Sequence, residues 1–180
     1  MNSMYFIAVV APANINETIL KWKYLMKEKF GCQVALRSPA HITLIPPFWM
    51  EDVLEERLKD TLNIFCRSQK SFEIDLKNFD AFKPRVIFVN VLQNKSLQSL
   101  RNQLQEFVIG QGQFPVAKEE RPFHAHISIA ARDLRKKAFR EAWELFKHKE
   151  YEAAWVARDI SLLKHNQKNW DVISTSQFAE

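Results

Sequence analysis

A pentapeptide occurs twice in this chain, as AHITL at 40–44 and as AHISI at 125–129. Each copy is preceded by a strand-like run and a helix-like run, and followed by a second helix and a further strand. A segment that recurs in register with its surroundings must fold twice in the same way, which restricts the architecture more than any other feature of the sequence.

In the first half, residues 4–11 (MYFIAVVA) read as a buried strand. Asn14 and Glu17 form a capping box ahead of Ile15, Ile19, Trp22, Met26 and Phe30 at helical spacing, and Gly31 ends that helix. A strand at 40–45 stops at Pro46–Pro47. A helix over 51–66 has acidic residues in its first turn, and 71–79 alternates as a half-buried strand. The second half repeats the order: a strand at 86–92, a helix capped by Asn94, a long loop at 109–122, a strand at 123–130, a helix over 133–147 capped by Asp133, and a strand at 153–163. One more strand at 170–177 closes the chain. Alternation of this kind fits either a parallel α/β sheet or a duplicated α+β unit, and the repeat favours duplication. The expected domain is one bilobal unit, 1–180, with approximate halves 1–80 and 81–180.

Strand geometry gives the pentapeptide its meaning. Side chains alternate, so Ala40, Ile42 and Leu44 share one face while His41 and Thr43 share the other. Ala125, Ile127 and Ile129 likewise oppose His126 and Ser128. The apolar set fixes the register, because a slip of one residue would bury the histidine. Imidazole and hydroxyl then stand one pleat apart, roughly 7 Å between Cα atoms, within reach of one small anion. Two such strands facing each other would bring two imidazoles and two hydroxyls to one phosphodiester. One histidine would take a proton from the nucleophile and the other give one to the leaving oxygen. The hydroxyls would donate to the non-bridging oxygens. Imidazole titrates near neutral pH, so neither metal nor cofactor is required. The competing reading of each motif is a hydrogen-bonded histidine in an ordinary core.

The stretches HITLIPPF at 41–48, RPFHAHISIA at 121–130, KPRVIFVNV at 83–91 and ISLLKHNQKNWDVISTSQF at 160–178 resemble the 2H phosphoesterases. This is the LigT-like group that includes enzymes named 2′-5′ RNA ligase and cyclic nucleotide phosphodiesterase. The resemblance implies an α+β fold of two halves whose antiparallel sheets line a central cleft with pseudo-twofold symmetry. It implies metal-independent action on cyclic phosphates, 2′-5′ linkages or RNA ends. Residue by residue it makes His41 and His126 the catalytic pair, and Thr43 and Ser128 the phosphate ligands. Many members have proline before each motif histidine, where this chain has Ala40 and Ala125. Some RNA-ligase-type members carry arginine five residues after the second histidine, where this chain has Ala131, with Arg132 next. That departure counts against ligase-like activity.

Further substrate contacts are expected from Arg85, which precedes the 86–92 strand, from Arg121, which precedes the second motif strand, from His124 two residues before His126, and from Phe48. A nucleotide- or RNA-binding module without catalysis is the alternative. A metallohydrolase built on His41, His124 and His126 is weaker, since no acidic ligand lies near them in sequence. The net charge of +5 and pI near 9.2 are spread over both halves, which suits a nucleotide or an RNA end more than a long duplex. Cys32 and Cys66 form no paired motif, and no leader or membrane segment is evident, so a cytoplasmic protein is expected, as a monomer.

Overall fold

In the computed structural model, which describes residues 1–179, the chain forms two four-stranded antiparallel sheets and four helices. The first sheet has the order β2-β1-β7-β8, made of β1 (Asn2–Val10), β2 (His41–Glu51), β7 (Asp159–His165) and β8 (Trp170–Gln177). The second has the order β5-β4-β3-β6, made of β3 (Phe72–Phe82), β4 (Val86–Val91), β5 (His126–Ala130) and β6 (Glu152–Ala157). The two motif strands, β2 and β5, are therefore equivalent edge strands, and they meet each other. Strands are exchanged relative to the order of the sequence: β3 joins the second sheet, and β7 and β8 complete the first.

The helices α1 (Ala13–Phe30), α2 (Glu55–Cys66), α3 (Lys95–Gly110) and α4 (Lys136–Phe146) pack on the sheets. The first and third cross over, α1 lying against β5 and α3 against β2. One apolar cluster runs through both sheets and includes Ile42 and Leu44 together with Ile127 and Ile129. The unbroken apolar run of β1 follows from its central place. Tyr5, Ile7 and Val9 enter the main core, while Phe6 and Ala8 pack with Leu163 on the opposite face. Among the described residues no helix is long and apolar enough to cross a membrane.

Several local expectations are corrected. Pro46 and Pro47 do not stop β2, which continues to Glu51. Both prolines are exposed on the sheet edge, where a register shift lies between the Tyr5–Phe48 and Ile7–Ile45 pairs and a missing N–H breaks no ladder bond on the open side. The helix expected over 51–66 begins as a 3₁₀ turn at Asp52–Leu54, because Asp52 accepts from the buried Tyr5 hydroxyl at 3.1 Å. The capping box at Asn14 is absent: α1 is capped by Pro12 without a side-chain bond. Gly31 does end α1 in the left-handed conformation (φ 71°), with its N–H on the Lys27 carbonyl. Asn94 caps α3 as expected, accepting from the Leu97 N–H at 2.9 Å.

Asp133 caps no helix. Its Oδ2 instead accepts the N–H groups of Gln33 at 2.6 Å and Val34 at 2.9 Å, tying the two halves together. The strand expected at 153–163 is two strands in different sheets, broken at Arg158. β6 alternates in burial because one face is open, whereas Ile160, Ser161, Leu162 and Leu163 of β7 are buried without a break because that strand is central. The strand expected from 123 begins at His126, leaving 123–125 irregular.

Candidate active site

Alternation on the two edge strands runs as the pentapeptides require. Ile42, Leu44, Ile127 and Ile129 are buried, while His41, Thr43, His126 and Ser128 are half-buried on the other face. Their settings match. Val10 lies opposite His41 and Ala8 opposite Thr43, as Asn90 lies opposite His126 and Phe88 opposite Ser128.

Each motif histidine donates its Nδ1–H to the carbonyl two residues upstream. His41 bonds Pro39 at 2.7 Å, and His126 bonds His124 at 2.7 Å. That bond fixes the tautomer and turns the lone pair of Nε2 outward. The rings rest on aromatic floors. His41 packs on Phe6 at 4.8 Å, itself against Trp170, and His126 stands against Phe82 at 5.0 Å and Phe88 at 5.1 Å.

Burial is the main reason that His41 is held down at about 4, and the charges of Lys23 and His126 add to it against the opposing Pro39 bond. Burial also lowers His126, against the opposing bond to the His124 carbonyl and with the charge of the His124 ring adding. The strands that carry the two motif histidines are in contact.

A cavity of about 400 Å³ opens beside His126, with Thr43, His124 and Phe82 among its walls. Arg101, Arg121 and Phe123 also line it. Of the further residues singled out in the sequence, His124 and Arg121 are brought here. His124 is exposed, its ring 6.4 Å from that of His126. Arg121 is exposed at the rim and held by Glu119 at 2.7 Å. Phe48 and Arg85 are not brought here. Phe48 is 8% exposed and packs on Tyr5 in the core, and Arg85 is exposed on the β3–β4 turn. Among the described residues no three His, Cys, Asp or Glu side chains converge as a metal-ligand set, so the three-histidine arrangement is not formed.

Two buried cations went unnoticed in the sequence. Lys23 of α1 is 3% exposed and donates to the Ser38 carbonyl at 3.0 Å, while Asn16 of the same helix accepts the Ala40 N–H at 2.7 Å. Together they fix the segment that offers the Pro39 carbonyl to His41. Desolvation pulls Lys23 down to about 8. Arg101 of α3 is 7% exposed and donates to the Glu119 carbonyl and to Asn102 Oδ1, each at 3.1 Å. Gln105 one turn on accepts the Glu119 N–H at 3.0 Å. The signal was available: Lys23 follows Ile19 by four, and Arg101 follows Leu97 by four, so each charge stands in an apolar stripe.

The sequence model of the 2′-5′ RNA ligase superfamily matches residues 11–169. No match is found among curated proteins. Among solved structures, Escherichia coli LigT in complex with 3′-AMP superposes with a TM-score of 0.73 at 20% identity, over 100% of both chains. The Thermus thermophilus protein TT0787 gives 0.68 at 15% identity over 97% of each chain. A structure described as a phosphoesterase gives 0.70 at 20% identity, again over 100% of both chains. At such identities the shared property is the fold.

Proposed function

The chain belongs to the 2′-5′ RNA ligase superfamily, within the 2H phosphoesterases, and from that premise we propose that it is a metal-independent phosphodiesterase acting on a cyclic phosphate, a 2′-5′ linkage or an RNA end. The observation that carries this reading is the pair of matched imidazoles on facing edge strands, each with Nδ1–H bonded to the carbonyl two residues upstream. A hydrogen bond at Nδ1 prepares Nε2 for proton transfer, and two such groups supply the base and the acid of one displacement.

In our reading His41 is the base, since it stays neutral furthest into acid. It takes a proton from water as the water oxygen bonds to phosphorus. The bond from phosphorus to the ribose oxygen breaks, and His126 Nε2–H protonates that oxygen. Thr43 and Ser128 donate to the non-bridging oxygens, where charge accumulates. A nucleoside monoester leaves, and the two histidines have exchanged protonation states. LigT, whose fold this chain shares, is described in complex with one such monoester, 3′-AMP. Arg121 and His124, which line the same cavity as His126, would meet the substrate in this reading. Two buried free thiols fit a reducing, cytoplasmic setting.

The test is turnover of 2′,3′-cyclic nucleotides in excess EDTA, followed by phosphorus NMR. A monoester product is expected, and its position identifies the oxygen that leaves. Turnover restored only by added metal would overturn metal independence. Tight nucleotide binding by calorimetry without turnover would make the protein a binding module.

A further inference from the structure

We infer that the substrate extends at least one nucleotide beyond the one bearing the reacting phosphate, and that the added nucleoside occupies the groove between the end of β4 and the first turns of α3. The inference rests on the phosphodiesterase reading and specifies the substrate class of that site. A cavity of about 710 Å³ lies in this groove and shares Phe123 and His124 with the 400 Å³ cavity that holds His126 and Thr43. Pockets of roughly 300–1,000 Å³ enclose a ligand of drug size, so each is scaled to about one nucleotide and the pair to two. Asn90 connects them along the backbone, since it lines the larger cavity and lies opposite His126 in the β4–β5 register.

The lining identifies the occupant. Asn90, Gln93, Gln98 and Asn102 place uncharged amides around the groove. An amide offers donor and acceptor side by side, the chemistry that reads the edge of a nucleobase. Asn102 commits its Oδ1 to Arg101 and Gln98, which leaves its NH₂ group to donate. Phe123 and His124 supply aromatic surface on which an unpaired base stacks. The charged residues of the lining, Lys95 and Glu106, have opposite signs, so the groove is no anion cradle. It suits the base and sugar of a nucleotide whose phosphate is held elsewhere, at the motif histidines.

Calorimetry on the full chain tests this with two ligands, adenosine 3′-monophosphate and the adenylyl dinucleotide that ends in a 3′-phosphate. The dinucleotide is expected to bind at least about tenfold more tightly, the contribution of one further stacked base. Gln98→Trp fills the groove and is expected to bring the ratio of the two affinities toward one. The Gln93→Ala/Gln98→Ala pair, which only trims side chains, is expected to lower the same ratio. Equal binding of the two ligands by the wild type, or a ratio unchanged in both variants, overturns the inference. Dinucleotide preference without turnover of any cyclic phosphate leaves the groove standing and removes the hydrolytic reading. Turnover without preference does the reverse, and failure to bind either ligand overturns both.

Discussion

The two motif strands reach one geometry from unequal supports. His41 and His126 make the same 2.7 Å bond to the carbonyl two residues upstream, on equivalent edge strands. The segment before His41 is short and clamped directly by Asn16 and Lys23 of α1. The segment before His126 is a long loop, hydrogen-bonded by Arg101 and Gln105 of α3 at Glu119, seven residues upstream of His126, with the Arg101 guanidinium also over the Phe123 ring. Each clamp uses a buried cation. Burial is the largest cause of the depression of both imidazoles, and the charge of Lys23 adds to it at His41. The two strands hold matched histidines in unlike surroundings, which gives two chemically similar groups different acidities.

Replacing either histidine is the most severe way to break this comparison. His41→Ala and His126→Ala are each expected to lower kcat/KM at least about 10²-fold on folded protein. Full activity in either would remove that residue from the mechanism. The pH dependence separates their roles. With His41 as base near 4 and His126 as acid below the ordinary 6.5, kcat/KM is expected to peak on the acid side of neutrality and to fall above it. Stability carries a related signature. Between pH 6.5 and about 4 the unfolded chain takes up a proton that folded His41 resists, so this contribution is fully present above 6.5 and is lost as the pH falls. Urea midpoints at pH 7 and pH 5 should therefore differ less in His41→Ala than in the wild type.

The facing of the motif side chains was more legible in the sequence than the frame that carries them. His41, Thr43, His126 and Ser128 were legible because period-two alternation and an internal repeat constrain the same residues twice. The exchange of strands between sheets was not legible, because pairing partners are set by long-range contacts that leave no local mark. The break at Arg158 was not legible, because EAAWVA before it is mostly apolar and DISLLKH after it mixes apolar and polar residues, and only burial separates the half-open β6 from the central β7. Phe48 looked like a substrate contact because it matches an aromatic in the family pattern. The register shift that absorbs Pro46 and Pro47 turns its ring into the core against Tyr5.

Asp133 offers a milder break, since it holds the halves together and touches neither histidine. Its Oδ2 satisfies two backbone N–H groups near the end of α1, and its Oδ1 is buried without a partner among the described residues. Asp133→Ala leaves those two donors without their acceptor, and a loss of about 2 kcal/mol in chemical denaturation is expected. A helix cap in the ordinary sense would cost less, about 1 kcal/mol. A loss that small, with the mutant losing helicity confined to α4, would return Asp133 to the role its sequence position suggested.

The smallest effect compares the starts of α1 and α3, which occupy equivalent places after β1 and β4. Both offer an asparagine near the first turn. Asn94 accepts the Leu97 N–H at 2.9 Å and also donates to the Glu73 carbonyl at 2.7 Å, so it caps α3 and fastens it to β3. Asn14 lies inside α1, exposed, one residue past its first position, where Pro12 already serves as cap. The chain enters α1 from the backbone bond of Ala11 N–H to the Ala40 carbonyl at 2.9 Å, and that bond fixes where the helix begins. Asn94→Ala is therefore expected to cost about 1 kcal/mol. Asn14→Ala should be neutral or slightly stabilising, because alanine is the better helix former at an interior position. Equal losses in the two variants, measured by urea denaturation, would mean that both helices start from their asparagines and that the repeat extends to their first turns.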